Sequence, residues 1–358
     1  MPTSSQVIEW IPPESSRLCW HGAADFESVE DGLIPWRLPF EDAPLLAPGL
    51  ARTAQVASGV RIRFRTSASE VRIRASNDEP KAPISMVSGP GPPITTFITP
   101  SANEVSFGEP GSEEVEIWLP HQGRTVVCEI GIPTDAIIEP RAAPTRRWLT
   151  YGSSITQSMN AQNPASTWPA LVAQGHDLDL TNLGFAGEAH LDPIVARYMA
   201  QEPADVISLC VGINIYVGAS MSLRTYRSNL IEFIRVIRSG HPGIPIVVMS
   251  PIGSLPRERL PCYPRLMPPA IRRNLGRVGR LSEVDALFGP TLEAVREETE
   301  SVVNLLAGRG DDQLTHVDGR TIIGADEAHL LADGLHLNQA GEELMAERFS
   351  QVLAQLLG

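Results

Sequence analysis

The sequence predicts two domains, an all-β sandwich followed by an α/β domain built on a parallel five-stranded sheet. Two observations support this prediction. Short segments that alternate apolar and polar residues, separated by runs rich in glycine, proline, serine and asparagine, make up the first part of the chain. Apolar strands then alternate with amphipathic helices. The change of pattern between residues 133 and 147 places the domains at residues 1–138 and 146–358.

The strands of the first domain are predicted from alternation with a period of two residues. The clearest segments are residues 60–65, 71–74, 115–119 and 126–130. Because only one face of each segment is apolar, each is expected to form a half-buried strand, as in an antiparallel sandwich. Helical periodicity is scarce in this part of the chain.

The second domain repeats a strand followed by a helix. The predicted strands are residues 148–151, 178–183, 206–211, 246–249 and 315–318, and the predicted helices are residues 167–174, 193–201, 223–239, 292–306 and 339–356. Since this alternation requires crossover connections, the sheet is expected to be mostly parallel, with helices on both faces.

Composition excludes several classes of protein. With 358 residues the chain exceeds what one hydrophobic core usually organises. A formal net charge of −13 argues against a nucleic-acid-binding face. The start of the chain lacks a basic and apolar leader, and no apolar run is long enough to span a membrane, so a cytoplasmic protein is expected. The four cysteines are widely spaced, which predicts neither a disulfide nor a metal site.

Small and polar residues follow the strands of the second domain. Ser154 comes after the first strand, Gly187 after the second, Asn214 after the third, and Asp333 with His336 after the fifth. Because the carboxyl ends of parallel strands meet at one edge of a sheet, these residues are expected to lie on one rim. Each alone is typical of a helix cap or a turn. Their combination favours an active site.

These residues, in this order, resemble the four sequence blocks of the SGNH (GDSL-like) serine hydrolases, over essentially the whole second domain. The resemblance implies a flavodoxin-like, three-layer α/β/α fold. Two positions depart from the pattern, since Ser153 and Ile215 stand where the family often has aspartate. Neither position carries the proton transfers, so the departures leave the expected mechanism intact. A Gly-x-Ser-x-Gly motif is missing, which disfavours the α/β-hydrolase fold.

The chemistry of these residue types fits the resemblance. A serine hydroxyl attacks an ester only when a base removes its proton, so Ser154 is the expected nucleophile and His336 the base. Asp333 would orient the imidazole. The backbone N–H groups of Ser154 and Gly187 and the side-chain amide of Asn214 would bind the developing oxyanion, each donor lowering the barrier by about 3 kcal/mol. No cofactor and no metal is expected.

Two further regions are candidates for substrate contact. His190 lies close to the Gly187 loop, and with Ile215 it is predicted to line the substrate pocket. An insertion at residues 254–281 carries one glutamate, Glu258, and seven arginines, and two interpretations stay open: a solvated helix face, or a lid or docking surface for an anionic acyl donor. The arginines are Arg257, Arg259, Arg265, Arg272, Arg273, Arg277 and Arg280.

The first domain resembles the jelly-roll, carbohydrate-binding-module-like domains of two-domain carbohydrate esterases of this family, and more closely that of an acyltransferase from a tetracycline pathway. The predicted function is ester hydrolysis through an acyl-enzyme on Ser154, with a small-molecule acyl ester or thioester as substrate. An acyltransferase that uses a hydroxyl acceptor on a sugar or natural product is the alternative. A non-catalytic binding protein is a third hypothesis. The sequence does not predict the oligomeric state.

Overall fold

The computed structural model describes residues 7–108, 110, 113–255, 257–261 and 289–357. Most of the predicted arginine-rich insertion lies outside these residues, including Arg265, Arg272, Arg273, Arg277 and Arg280, so its role as a lid or docking surface stays a prediction. By the density of contacts the chain forms two compact units. The first extends to Arg147 and includes Gln157–Leu183; the second comprises Trp148–Thr156 and the chain from Gly184 onward. The sequence-based boundaries, 1–138 and 146–358, stay predictions.

Two antiparallel sheets make up the sandwich of the first unit in the described part of the chain. One has the strand order β3-β4-β11-β6-β9, with β1 paired to β11; the other has the order β12-β5-β10-β7-β8, with β2 paired to β5. The strands are β1 Ile8–Ile11, β2 Cys19–His21, β3 Asp25–Val29, β4 Gly32–Trp36, β5 Arg61–Thr66, β6 Val71–Asn77, β7 Ala82–Val87, β8 Ile94–Ile98, β9 Asn103–Phe107, β10 Glu114–Trp118, β11 Thr125–Pro133 and β12 Ile138–Pro140.

The core of the sandwich follows the predicted alternation most clearly in β6, whereas β5 departs from it. Side chains such as Ile73 of β6 and Ile117 of β10 are fully buried. Strand β5, however, buries both faces, because Arg61 and Arg63 are almost wholly covered instead of exposed. Arg61 pairs with Asp179 at 2.6 Å and Arg63 with Glu116 at 2.9 Å. Alternation cannot reveal this burial, because the carboxylates that make it tolerable come from elsewhere in the chain.

The α/β domain contains a parallel five-stranded sheet within the described residues, as predicted, in the order β14-β13-β15-β16-β17. Its strands are β13 Arg146–Gly152, β14 Leu178–Gly184, β15 Val206–Cys210, β16 Ile246–Met249 and β17 Leu314–Val317. Four of them end in register, since Gly152 pairs with Cys210, Cys210 with Met249, and Met249 with Val317. The loops that follow these strands therefore start from one edge.

The described α-helices are α1 Pro48–Ala54, α2 Ser154–Gln157, α3 Trp168–His176, α4 Pro193–Gln201, α5 Ile213–Gly218, α6 Leu223–Gly240, α7 Leu292–Ala307, α8 Gly319–Ile322 and α9 Gln339–Leu357, and short 3-10 helices lie at Phe40–Leu45, Pro164–Ser166 and Ala328–Leu330. Helix α9 packs Phe349 against Trp148 of β13, with ring centroids 5.8 Å apart. The Tyr226 and Thr299 hydroxyls, 2.7 Å apart, join α6 to α7. Among the described helices none is both long and apolar enough to cross a membrane.

We expect Phe349→Ala to lower the free energy of unfolding by about 3–5 kcal/mol, because it opens a cavity beneath a fully buried ring. Urea-induced unfolding followed by circular dichroism measures the change. Gln351→Ala, at an exposed position of the same helix, is the control and should stay within about 0.5 kcal/mol of the wild type. Equal effects of the two substitutions would contradict the packing described for α9.

Candidate active site

Ser154 occupies the turn between β13 and α2. Strand β13 ends at Gly152, and Ser154 is the first residue of the helix, where backbone N–H groups have no partner within the helix. The hydroxyl of the preceding residue, Ser153, accepts a hydrogen bond from the Ile155 N–H at 3.2 Å. Ser153 is thus bonded to the backbone of the turn that presents the Ser154 side chain.

A continuous chain of hydrogen bonds joins Ser154 to Asp333. The Ser154 Oγ lies 2.8 Å from His336 Nε2, and His336 Nδ1 lies 2.7 Å from Asp333 Oδ2. A carboxylate only accepts, so Nδ1 carries the proton and Nε2 is left to accept from the serine hydroxyl. The structure therefore brings together the three residues that the sequence predicts as nucleophile, base and orienting acid.

Asp333 is held as a carboxylate by its own loop. Partial burial would raise the pKa of Asp333, but hydrogen bonds from the His336 N–H and imidazole, the charge of His336 and the Leu335 N–H together lower the pKa to about 2. The two backbone bonds, at 2.8 Å and 3.0 Å, both reach Oδ1, which leaves Oδ2 for the imidazole. Each oxygen of the carboxylate thus has a separate role.

Two of the predicted oxyanion donors, Gly187 and Asn214, follow β14 and β15. Asn214 is in the first turn of α5, and its Oδ1 accepts from the Ala189 N–H at 3.0 Å, so its Nδ2 is the group left to donate. Gly187 has a φ of +77°, a conformation that favours glycine, and a Cβ there would point into open space. The loop therefore leaves room for a bound group beside Gly187.

Gly212 positions Asn214. It connects β15 to α5 with a φ of +105°, and a Cβ there would lie 2.6 Å from Val295 Cγ1. A larger residue would be strained and would also displace the start of α5. Asn214 is therefore placed by a close approach between the backbone and α7.

Sequence reasoning missed the residues that hold the Gly187 loop. Tyr151 of β13 accepts a hydrogen bond from the Leu191 N–H at 3.0 Å, and Leu191 has a left-handed φ of 60°. Burial raises the pKa of Tyr151, so its hydroxyl stays protonated at neutral pH. In the sequence, this role is indicated only by a tyrosine in the strand before Ser154, and a tyrosine there is just as typical of a residue that simply packs in the core.

The two predicted pocket residues, His190 and Ile215, have different surroundings in the structure. Both ring nitrogens of His190 are engaged 3.0 Å from their partners, Nδ1 with Ser220 Oγ and Nε2 with the Gly187 carbonyl. His190 thus stabilises the loop that carries Gly187, and its contact with substrate stays a prediction. Ile215 is fully buried, and its place in the substrate pocket also stays a prediction. Its position in α5 beside Asn214 turns it toward the interior.

Comparison with known proteins identifies the family. Residues 150–344 match the profile of the GDSL-like lipase/acylhydrolase family, and residues 18–128 match that of the SsfX3 N-terminal domain. The first match spans more than half of this chain, so the chain belongs to the GDSL-like lipase/acylhydrolase family. It is an SGNH enzyme of the esterase or acyltransferase type.

Solved structures extend the similarity to both domains. The salicylyl-acyltransferase SsfX3 from a tetracycline biosynthetic pathway is 27% identical, with a TM-score of 0.84 over 98% of this chain and 97% of that one. A protein of Bacteroides ovatus, provisionally described as a GDSL-like lipase, is 19% identical (TM-score 0.75, 98% of each chain). A family two carbohydrate esterase from Cellvibrio japonicus is 13% identical (TM-score 0.65, 98% of each chain). The last two share the fold alone. No curated protein matches.

We expect the stabilising effect of Asp333 to depend on pH. Its pKa of about 2 in the folded protein lies below the ordinary value of 3.8, so its contribution is complete above the ordinary value and is lost as the pH falls through about 2. The difference in free energy of unfolding between wild type and Asp333→Asn should therefore shrink over that interval. Urea unfolding at a series of pH values measures it. A difference that is constant with pH would contradict the described hydrogen bonds.

We expect Tyr151→Phe to slow turnover of an activated ester roughly tenfold and to lower the free energy of unfolding by about 1–3 kcal/mol, because the Leu191 N–H loses its acceptor. Steady-state kinetics and urea unfolding measure the two effects. Tyr198→Phe also removes a hydroxyl from a buried tyrosine, but in α4, and should leave turnover unchanged. Equal rates for both variants would show that Tyr151 does not support the loop.

Proposed function

We propose that this protein is a serine ester hydrolase that forms an acyl-enzyme on Ser154. The observation that carries the proposal is the unbroken chain from Ser154 Oγ through His336 to Asp333, with spacings of 2.8 Å and 2.7 Å. These spacings fall in the range expected for a nucleophile, its base and an orienting acid. The acylated small molecule or sugar that it takes is part of the proposal.

In the acylation step His336 Nε2 removes the proton from Ser154 Oγ as the oxygen attacks the ester carbonyl carbon. The carbonyl π electrons move to the oxygen, which becomes an oxyanion. When the tetrahedral intermediate collapses, the bond to the alkoxy group breaks and His336 returns the proton to the leaving oxygen. Asp333 stabilises the imidazolium that forms between these two transfers.

The oxyanion would accept hydrogen bonds from the N–H groups of Ser154 and Gly187 and from Nδ2 of Asn214. The Asn214 side chain is held before substrate arrives, since its Oδ1 accepts from the Ala189 N–H, and the loop that carries Gly187 is held by the bond between the Gly187 carbonyl and His190. Preorganised donors of this kind are usually the largest contribution to acyl-transfer catalysis. In the second step, water attacks the acyl carbonyl carbon as His336 removes its proton. When this intermediate collapses, His336 returns the proton to Ser154 Oγ and the carboxylic acid is released.

The second candidate is an acyltransferase that passes the acyl group to a hydroxyl of a natural product or sugar. The similarity to salicylyl-acyltransferase SsfX3 favours it, because this similarity covers both domains at 27% identity. Hydrolase and acyltransferase share every residue named above. They differ in whether the second nucleophile is water or an alcohol, which depends on how the site positions an acceptor.

A binding protein with a decayed site is the third candidate. Selection for binding alone would not maintain the hydrogen-bond geometry of Ser154, His336 and Asp333 together with the Asn214 contact. These contacts therefore argue against it.

We expect Ser154→Ala to lower turnover of p-nitrophenyl acetate by at least about four orders of magnitude, because the substitution removes the hydroxyl that attacks the ester. Ser228→Ala, which removes a serine hydroxyl from an exposed position of α6, is the control and should retain the activity. Mass spectrometry of the quenched wild type should show one acetyl group on the peptide that contains Ser154. Unchanged turnover in Ser154→Ala would exclude both enzymatic candidates that use this serine.

The decay of the trapped acyl-enzyme separates the two enzymatic candidates. A hydrolase loses the acetyl group in buffer at the turnover rate. An obligate acyltransferase retains it until a hydroxyl acceptor, such as a sugar or a phenol, is added, and the product then carries the acetyl group. A wild type that neither turns over nor acquires the label would favour the binding protein.

A further inference from the structure

One peptide group in the loop that carries Asp333 and His336 is held at both ends. The Leu335 N–H donates to Asp333 Oδ1 at 3.0 Å. At the other end of the same peptide, the Gly334 carbonyl accepts from Ser254 Oγ at 2.8 Å and from Arg257 Nη1 at 2.6 Å. Rotation of this peptide would break the bonds on both sides. The orientation of Asp333 toward His336 is therefore linked to Ser254 and Arg257.

Ser254 and Arg257 belong to the segment that follows β16. They also contact each other, since Arg257 Nη1 donates to Ser254 Oγ at 3.0 Å and the Arg257 N–H donates to the Ser254 carbonyl at 2.8 Å. Ser254 is buried, and its own N–H donates to Glu258 Oε1 at 2.9 Å. The two donors to Gly334 thus form one small turn that Glu258 closes.

Arg296 of α7 anchors this turn. Its guanidinium, only 3% exposed, forms a two-pronged ion pair with Glu258, at 2.8 Å and 3.2 Å. It also donates to the Pro251 carbonyl at 3.1 Å and lies 3.7 Å from Asp318. Paired Arg–carboxylate bonds of this geometry restrain orientation as well as distance. The end of β16 and the turn are thereby fixed to a long helix.

We propose that Ser254 and Arg257 are positioning residues for Asp333 and His336, and that the Arg296–Glu258 pair holds them in place. This inference rests on the proposed function, because the contacts can align Asp333 and His336 for catalysis only if these two residues are catalytic. The physical reason is that a displacement of about 1 Å in an acid–base group can cost about 100-fold in rate. Asp333 needs such support, because its side chain is 55% exposed and receives little from packing.

The test uses the full-length protein and p-nitrophenyl acetate. We expect Arg257→Met to lower kcat between about 10-fold and 100-fold while KM stays within about twofold, because only alignment with the transition state changes. Arg257→Lys, which restores a donor, should recover part of kcat. Arg309→Met, at an exposed site just beyond α7, is the matched control and should match the wild type. Thermal unfolding identifies any variant that fails to fold.

Two measurements separate positioning from a general structural role. The downfield proton resonance of the His336 Nδ1–H should shift or broaden in Arg257→Met and not in Arg309→Met. In a double-mutant cycle, the effect of Arg257→Met on kcat should largely disappear in an Asp333→Asn background, since both act through the same imidazole. Ser254→Ala, which removes the other donor to Gly334, should behave in the same way.

The inference is overturned if Arg257→Met keeps the kcat of the wild type, or if it lowers kcat by the same factor with and without Asp333→Asn. Either result would leave the proposed function intact provided that Ser154→Ala is inactive. If Ser154→Ala is active, the proposed function itself fails. The two failures are therefore distinguishable in one set of proteins.

Discussion

In-register pairing of β13, β15, β16 and β17 is the constraint on which the candidate active site depends. The strands are parallel, largely buried, and end opposite one another at Gly152, Cys210, Met249 and Val317. A slip of one residue would move each strand end by about 3.3 Å and turn its buried side chains to the opposite face. Such a shift exceeds the tolerance of a hydrogen bond, so the burial of the sheet also fixes the positions of Ser154 and Asn214.

The groups of the site are also held by a second partner outside the predicted catalytic set. Asn214 is bonded to the Ala189 N–H, the Gly187 carbonyl to His190, the Leu191 N–H to Tyr151, and the Gly334 carbonyl to Ser254 and Arg257. These groups are therefore ordered when the protein folds, so substrate binding does not have to supply the free energy for ordering them. A substrate would meet donors that need no further reorganisation, which is the condition for strong electrostatic stabilisation of an oxyanion.

Membership of the GDSL-like lipase/acylhydrolase family and the similarity to SsfX3 restrict the chemistry to esterase or acyltransferase reactions. Within that class the fate of the acyl group depends on the second nucleophile. The candidate triad would activate water or an alcohol by the same proton transfer, because His336 Nε2 responds to an O–H donor and not to the rest of the acceptor molecule. Selectivity must arise where the acceptor binds, beyond the three residues that carry the protons.

The sequence by itself determined four strands of the sandwich, the alternating strands and longer helices of the α/β domain, and the five candidate residues Ser154, Gly187, Asn214, Asp333 and His336. It could do so because burial imposes a period on each element, because all strand ends of a parallel sheet share an edge, and because the segments that follow the strands resemble the SGNH sequence blocks. Burial of Arg61, Arg63 and Ile215, and the contacts of Tyr151, His190 and Ser254, were decided only by the tertiary structure. Each of these depends on a partner or on packing distant along the chain, and local periodicity carries no information about which side chain a folded backbone will bring within 3 Å.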